Sequence, residues 1–176
     1  MTTLLGISGS LRKASTNTKL IRYAAEVFDA DTFIEGDINF PLYDGDLEEA
    51  SGIPQAVQTL ADQIAAADAI IISTPEYNKA ISGALKNALD WVSRTKGSPW
   101  KGKPLAIMSA TAGRAGGERA QFSLRLAMMA FRPHILQGPE VLVAASDEAF
   151  DDDGKLKGEL YVKLMKELMG DLKALT

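Results

Sequence analysis

The stretch Thr3–Thr18, TLLGISGSLRKASTNT, combines an apolar segment, a turn rich in hydroxyl groups and cations, and the approach to a helix. Leu4–Ile7 is typical of a buried strand, and a helical pattern begins near Lys19. The first N–H groups of a helix lack partners within it, and the helix dipole is positive at that end. The hydroxyl groups and Arg12 add donors that suit phosphate oxygens. The stretch therefore predicts an anion site, and a phosphate-bearing ligand is the first hypothesis.

Strand and helix patterns alternate along the rest of the chain. Further strands are predicted at Asp31–Glu35, Ala69–Ile72, Pro104–Met108 and Glu140–Val143. The last of these lies within a longer apolar stretch, Ile135–Ala144, which Gly138-Pro139 interrupts. Apolar residues at helical spacing run through 20–28, 53–64, 84–92, 120–131 and 160–172, whereas 36–52 is predicted to be irregular. Parallel strands need helical crossovers, so we expect an α/β protein with a doubly wound, five-stranded parallel sheet and helices on both faces.

Three loops, 8–18, 74–83 and 109–117, follow predicted strands and are rich in glycine, hydroxyl groups or proline. Ligands of doubly wound sheets bind beyond the carboxyl ends of the strands, so we expect the three loops to form one site. The first loop has neither the Gly-Lys-Ser/Thr ending of a Walker A motif nor the G-x-G-x-x-G fingerprint, and the chain has no cysteine for a phosphatase. A mononucleotide such as FMN remains, which sheets of order 2-1-3-4-5 are known to bind.

The composition of the 176 residues excludes several classes of partner and site. A net charge of −4 argues against a nucleic-acid partner or a polybasic membrane patch. The absence of cysteine and the single histidine exclude disulfides, thiol nucleophiles and multi-histidine metal sites. No stretch approaches the ~20 apolar residues of a membrane span. We expect a single domain, residues 1–176, in the cytoplasm, without a metal, nucleic acid or membrane insertion.

Five motifs occur in order along residues 6–117. They are Gly9–Lys13 with Ser15 and Asn17, Pro75–Asn78, Gly83–Trp91, Gly102–Pro104, and Gly113 with Gly116-Gly117. Together they resemble the NADPH-dependent FMN reductases of flavodoxin-like fold, and especially the branch described as chromate and quinone reductases. The third loop departs from the family pattern at Ala110, where relatives commonly have a hydroxyl residue, so only backbone contacts are expected there.

The resemblance implies a role for each loop. The first would hold the FMN phosphate through Ser10, Arg12, Ser15 and Asn17, the second would line the ribityl chain and the ring, and backbone 109–113 would approach the pyrimidine side. The predicted cofactor-binding residues are Ser10, Leu11, Arg12, Ser15, Thr16, Asn17, Pro75, Glu76, Tyr77, Asn78, Ala110, Thr111 and Gly113. No catalytic side chain is expected, because the flavin carries the redox chemistry.

Each motif also has a structural interpretation. Ser15 or Thr16 can be an ordinary helix cap, Tyr77 can cover the sheet edge, and Glu76 can be a solvated carboxylate in a turn. His134, Trp91 and Trp100 are expected to be structural, with an oligomer contact as the other possibility for the two tryptophans. Arg114 and Arg119 are expected to be surface or subunit-interface charges, with binding of the nicotinamide nucleotide as the other possibility. The apolar surplus at Met128, Met129 and Phe131 favours a dimer contact.

The function implied by the resemblance is an FMN-dependent oxidoreductase. It would take electrons from NADH or NADPH and pass two of them to a quinone by a ping-pong mechanism, with chromate, ferric complexes or azo compounds as further acceptors. A homodimer or homotetramer is expected. Two alternatives stay open: a flavodoxin-like electron carrier that does not oxidise NAD(P)H itself, and an interaction protein that keeps the fold but has lost the flavin.

Overall fold

A parallel sheet with helices on both faces forms the molecule, and the computed structural model describes all 176 residues. The strands are β1 (Thr3–Ser8), β2 (Thr32–Gly36), β3 (Ala69–Thr74), β4 (Pro104–Ala110), β5 (His134–Ile135) and β6 (Val141–Val143). The helices are α1 (Thr16–Phe28), α2 (Gly45–Ser51), α3 (Gln55–Ala66), α4 (Gly83–Val92), α5 (Glu118–Met128) and α6 (Glu159–Lys173).

The sheet order is β2-β1-β3-β4-β5, and β6 also pairs with β4. Leu4 in β1 lies opposite Phe33 on one side and Ala69 on the other, and both pairings are parallel. β3 is buried along its whole length, which explains its uninterrupted apolar run, because helices cover both faces of a central parallel strand. The predicted flavodoxin-like fold is confirmed, including its strand order.

Two short strands share the fifth position of the sheet. β5 pairs with the beginning of β4, so that His134 lies opposite Pro104, and β6 pairs with its end, so that Val141 lies opposite Met108. The interruption falls at Gly138-Pro139, as the sequence predicts, because proline cannot donate to the ladder. The prediction of five strands is corrected to six strands in five positions, and His134 lies within the additional strand, β5.

One stretch predicted to be irregular and one predicted helix start are wrong, because capping groups rather than apolar periodicity determine where these two helices begin. The stretch 36–52 contains α2, which begins where the Asp44 carboxylate accepts a 2.9 Å hydrogen bond from the Asp46 N–H. Helix α1 begins at Thr16 instead of near Lys19, because the Ser15 hydroxyl caps it. Helix α2 has no buried residue, so no apolar spacing could reveal it.

Polar contacts, rather than burial, hold α2 in place. The Glu48 carboxylate accepts hydrogen bonds from Arg94 Nε at 2.9 Å and from the Tyr43 hydroxyl at 3.0 Å. The hydrogen bond from Arg94 is the main reason that the pKa of Glu48 lies below its usual value. An exposed ion pair of this kind contributes little to stability, so α2 is a weakly held surface element.

Alternate residues of the strands face two apolar layers. Leu5, Ile70 and Leu105 belong to the layer under α3, α4 and α5, whereas Leu4 and Ile71 belong to the layer under α1 and α6. Both tryptophans are buried in the first layer, as expected of packing residues. No helix of the structure combines the length and the apolar character that a bilayer crossing requires.

Candidate functional site

A cavity of about 290 Å³ lies at the carboxyl edge of the sheet, where the loops after β1, β3, β4 and β6 meet. This volume is at the lower end of the range for small-molecule sites. The lining residues are Ser10, Arg12, Ser15, Thr16, Asn17, Pro75, Glu76, Tyr77, Ala110, Thr111, Ala112, Gly113, Ser146 and Asp147. The structure thus brings together the three predicted loops, and every predicted site residue except Leu11 and Asn78 lines the cavity.

Unpaired donors mark the α1 side of the cavity. The Ser15 hydroxyl accepts hydrogen bonds from the N–H groups of Asn17 and Thr18, at 3.2 and 3.3 Å, and so caps the helix. The Thr16 N–H has no protein acceptor, and the exposed Arg12 guanidinium forms no ion pair. The structural interpretation of Ser15 is therefore correct, and the helix end still offers an N–H group and a free cation to an anion.

Asn17 bridges α1 and two strands of the sheet. Its amide oxygen accepts hydrogen bonds from the Ser73 hydroxyl at 2.7 Å and the Ala110 N–H at 3.1 Å, and its amide nitrogen donates to the Ala110 carbonyl at 2.9 Å. The residue is 3% exposed, so water cannot replace these bonds. Protein groups thus engage the amide oxygen and one amide N–H. Ser10, Arg12, the Thr16 N–H, the Ser15 O–H and the second Asn17 N–H remain as donors on this side.

A tight turn closes the loop after β3. Tyr77 and Ala80 exchange two backbone hydrogen bonds of 3.0 and 3.1 Å, and the residues between them, Asn78 and Lys79, have φ angles of 52° and 66°. Positive φ at both central positions is the geometry of a type I′ turn, which asparagine tolerates. Asn78 therefore serves the turn. Tyr77 is 54% exposed, so much of its ring surface is open beside the cavity.

Glu76 caps a helix from a different part of the chain. Its carboxylate oxygen Oε2 accepts hydrogen bonds from the N–H groups of Arg119 and Ala120, at 3.1 and 3.2 Å, in the first turn of α5. The residue at the N-cap position of α5 is Gly117, which has no side chain to do this. The alternative of a solvated turn carboxylate is therefore wrong.

The loop after β4 adds two further free donors. Ala112 and Gly113 line the cavity, and their N–H groups have no protein acceptor. Thr111 is held in place because its N–H donates to the Val143 carbonyl at 2.9 Å. Gly116 allows the loop to pass the sheet, since an added Cβ would lie 2.5 Å from the Leu142 carbonyl. The loop is thus tightly packed at Gly116, whereas the N–H groups of Ala112 and Gly113 remain available to a ligand.

A fourth loop, 144–149, borders the cavity and is not predicted from the sequence. Ser146 and Asp147 line the cavity, and the Thr16 hydroxyl donates to the Ser146 hydroxyl at 3.1 Å. The loop follows β6, so the rule that selects the carboxyl ends of strands applies to it as well. The strand end at Val143 is predicted from the sequence, but residues 144–149 contain neither glycine nor proline, so their composition does not mark a ligand loop.

A second cavity of about 360 Å³ adjoins the first and shares Ser10, Arg12 and Tyr77 with it. Leu11 lines this cavity and is 54% exposed, and Ala84 in α4 lines it too. Leu11 therefore contributes apolar surface next to the main cavity rather than within it. No group of three or more His, Asp or Glu side chains is arranged to hold a metal ion.

The fold and the cavity define a flavodoxin-like α/β protein with its ligand site at the carboxyl edge of the sheet. The family model described as NADPH-dependent FMN reductase matches residues 2–148, and the chain belongs to this family. The resemblance inferred from the motifs is confirmed. So is the assignment to NAD(P)H-dependent flavoenzymes, with FMN as cofactor and a nicotinamide nucleotide as co-substrate.

Individual relatives agree with this membership. An NAD(P)H-dependent FMN reductase of Pseudomonas aeruginosa is 43% identical over 166 residues, covering 93% of this chain and 89% of the relative. A quinone reductase of Escherichia coli K12 is 38% identical over 137 residues, covering 76% of this chain and 73% of the relative. The solved structure of the flavoenzyme NAD(P)H:(acceptor) oxidoreductase from Paracoccus denitrificans has a TM-score of 0.87 and 31% identity, covering 99% of this chain and 97% of that one.

Proposed function

We propose that this protein binds FMN in the 290 Å³ cavity and passes two electrons from NADH or NADPH to quinones. The observation that carries the proposal is the placement of the unpaired donors. Arg12 and Thr16, whose N–H has no protein acceptor, line the cavity on the α1 side, and Ala112 and Gly113, whose N–H groups have none either, line it on the loop after β4. FMN has two kinds of hydrogen-bond acceptor that suit these donors: the oxygens of its charged phosphate and the neutral carbonyl oxygens of its ring. The proposed unit is one domain, residues 1–176, acting in the cytoplasm, where NAD(P)H is available.

The residues fit FMN in charge and in hydrogen bonding. Ser10, Arg12 and the Thr16 N–H would hold the phosphate at the positive end of α1. Tyr77 would lie against the ring, and the loop after β4 would present its N–H groups to the pyrimidine oxygens. The predicted residues that line the cavity are the proposed cofactor-binding set: Ser10, Arg12, Ser15, Thr16, Asn17, Pro75, Glu76, Tyr77, Ala110, Thr111 and Gly113.

When bound, FMN supplies the redox chemistry, accepting a hydride from NAD(P)H and returning two electrons to the acceptor. The protein contributes binding and charge, because the N–H groups of Ala112 and Gly113 favour negative charge on the ring edge that they face. No side-chain acid or base is required, and α5 already engages Glu76. Donor and acceptor would use the same open side in turn, so we expect ping-pong kinetics.

The acceptor range is proposed to extend beyond quinones. An open site next to the exposed surfaces of Tyr77 and Leu11 selects acceptors by access more than by shape. Chromate, ferric complexes and azo compounds are therefore proposed as further acceptors. Quinones come first because one relative, from Escherichia coli, is named a quinone reductase.

A direct test mixes the purified protein with FMN, NADH or NADPH, and benzoquinone. We expect nicotinamide oxidation that needs both flavin and quinone, with parallel lines in double-reciprocal plots at several quinone concentrations. Intersecting lines would contradict the ping-pong order. FMN binding without nicotinamide oxidation would favour the electron carrier, and a colourless protein that does not quench FMN fluorescence would favour the interaction protein.

The exposed face of α5 supports a homodimer, or a tetramer built from dimers. Phe122, Leu126 and Met129 are 54%, 71% and 71% exposed and lie on one side of the helix at spacings of four and three residues. A second copy would cover this apolar surface. Sedimentation should give a dimer or tetramer for the natural protein and a monomer for Leu126→Glu, and a natural protein that sediments as a monomer would contradict the assembly.

A further inference from the structure

Glu76 stands between the two sides of the cavity. We propose that it is a positioning residue, which sets the width of the cavity by tying the loop after β3 to the first turn of α5. The inference rests on the proposed function, because the width of the cavity matters when a flavin ring lies between these two segments. It concerns a side chain for which the sequence left two interpretations, a residue of the flavin site and a solvated carboxylate in a turn.

The loop after β3 has other attachments, but none of them reaches α5. The Tyr77–Ala80 turn closes the loop on itself, and the Ser82 hydroxyl, which donates to the Gly9 carbonyl, joins its far end to the loop after β1. The two bonds to Glu76 are the only hydrogen bonds between residues 75–80 and α5. Without them, nothing polar would hold the Tyr77 side of the cavity at a set distance from α5.

The start of α5 is coupled to the backbone that faces the cavity. Its first N–H group, that of Glu118, donates to the Ala115 carbonyl at 3.3 Å, and Gln121 donates to the Gly117 carbonyl at 3.1 Å. Glu76 takes the two N–H groups between them, those of Arg119 and Ala120. Helix α5 follows the 111–117 loop directly, and the Gly116 N–H donates to the Gly113 carbonyl at 3.3 Å, so the first turn of α5 and the lining residues Ala112 and Gly113 belong to one connected segment.

The negative charge of Glu76 makes the α5 side of the site differ from the α1 side. A carboxylate on the first turn of α5 neutralises the positive end of that helix, so this end does not compete for a phosphate. The effect of Glu76 should therefore fall on the ring of the flavin and not on its phosphate. FMN and riboflavin share the ring and differ in the phosphate, so they distinguish these two possibilities.

The experiment compares Glu76→Ala, Glu76→Gln and a control, Glu118→Ala, whose side chain lies in the same helical turn and makes no hydrogen bond. Dissociation constants for FMN and riboflavin are measured by fluorescence quenching, and amide exchange is measured by NMR on the flavin-free protein. We expect Glu76→Ala to weaken both flavins by the same factor, about tenfold. Glu76→Gln keeps an acceptor oxygen and should stay within about threefold of the natural protein.

Amide exchange tests the role of Glu76 without a bound flavin. In Glu76→Ala the amides of Arg119 and Ala120 should exchange about tenfold faster or more, whereas Glu118→Ala should leave them unchanged. Unchanged amide exchange in Glu76→Ala would overturn the inference. So would a glutamine variant that binds flavins as weakly as the alanine variant does, or a loss of affinity for FMN but not for riboflavin. A natural protein that binds neither flavin would overturn the proposed function, while the exchange data would still decide whether Glu76 holds α5.

Discussion

Helix α1 begins at the cavity, and α5 begins where Glu76, a lining residue, bonds to its first turn; the two N-termini are capped in different ways. Helix α1 is capped by the residue just before it, Ser15, which leaves the Thr16 N–H and the nearby Arg12 without protein partners. Helix α5 begins after two glycines and is capped by Glu76 from another loop, which takes the N–H groups of its first turn. One positive helix end is open to a ligand, and the other is occupied by the protein's own carboxylate.

This difference shows how one sheet edge becomes a site with two distinct ends. A doubly wound fold places several helix N-termini at the carboxyl edge, and each of them attracts anions. The side chains nearby decide which helix end remains available. In the proposed function the phosphate is therefore directed to α1, because Glu76 already occupies N–H groups in the first turn of α5.

The largest effect on the free energy of unfolding is expected at Gly116, where the loop before α5 passes the sheet. Gly116 has φ of 61°, and a Cβ there would lie 2.5 Å from the Leu142 carbonyl carbon and oxygen. Gly116→Ala should lower the free energy of unfolding by about 4 kcal/mol, from backbone strain and overpacking together. The matched control is Gly83→Ala at the start of α4, where a Cβ meets nothing within 4 Å. Urea denaturation measures both, and equal stability of the two variants would contradict the close packing at α5.

The next effect concerns the attachment of α1. Asn17→Ala removes three buried hydrogen bonds and leaves the Ser73 hydroxyl and the Ala110 backbone groups without partners. We expect a loss of about 3 kcal/mol in the free energy of unfolding, because unpaired buried polar groups are costly. Denaturation in urea, compared with Asn39→Ala on an exposed loop, tests this. A loss below about 1 kcal/mol would show that α1 is held mainly by its apolar face.

Arg12 tests the open end of the site without disturbing the fold. The Arg12 side chain is exposed and makes no ion pair, so Arg12→Ala should leave stability unchanged. It should weaken FMN by roughly 1.5–3 kcal/mol, the size of one charge-assisted hydrogen bond. Riboflavin, which has no phosphate, should bind the variant and the natural protein alike. FMN affinity that does not change would remove Arg12 from the proposed phosphate site.

The smallest effect is expected in the overlooked fourth loop. Ser146→Ala removes the acceptor of the Thr16 hydroxyl but leaves that hydroxyl close to the cavity, where water or ligand can replace the bond. A change of about 0.5–1 kcal/mol in FMN affinity is expected, measured by the same fluorescence titration. Ser51→Ala, on exposed α2, is the control. A change as large as that of Arg12→Ala would make the fourth loop an equal partner in binding.

Elements with a strong apolar pattern could be predicted from the sequence. β3 has no polar residue between Ala69 and Ile72, and this run identifies a strand covered on both faces. Helix α2 and β5 escape prediction because α2 buries nothing and β5 has two residues. Most of the cavity lining was predicted as well, since Gly, Pro and hydroxyl residues after a strand indicate a loop at the carboxyl edge.

The sequence by itself determined the alternation of strands and helices, the edge at which the site lies and the family, because apolar spacing and loop motifs are local properties. The tertiary structure alone decided what Glu76, Asn17 and Thr16 do. Their partners Arg119, Ala110 and Ser146 are 43, 93 and 130 residues away along the chain. A hydrogen bond depends on distance in space, and no spacing in the sequence records which loop will lie beside which helix once the sheet has formed.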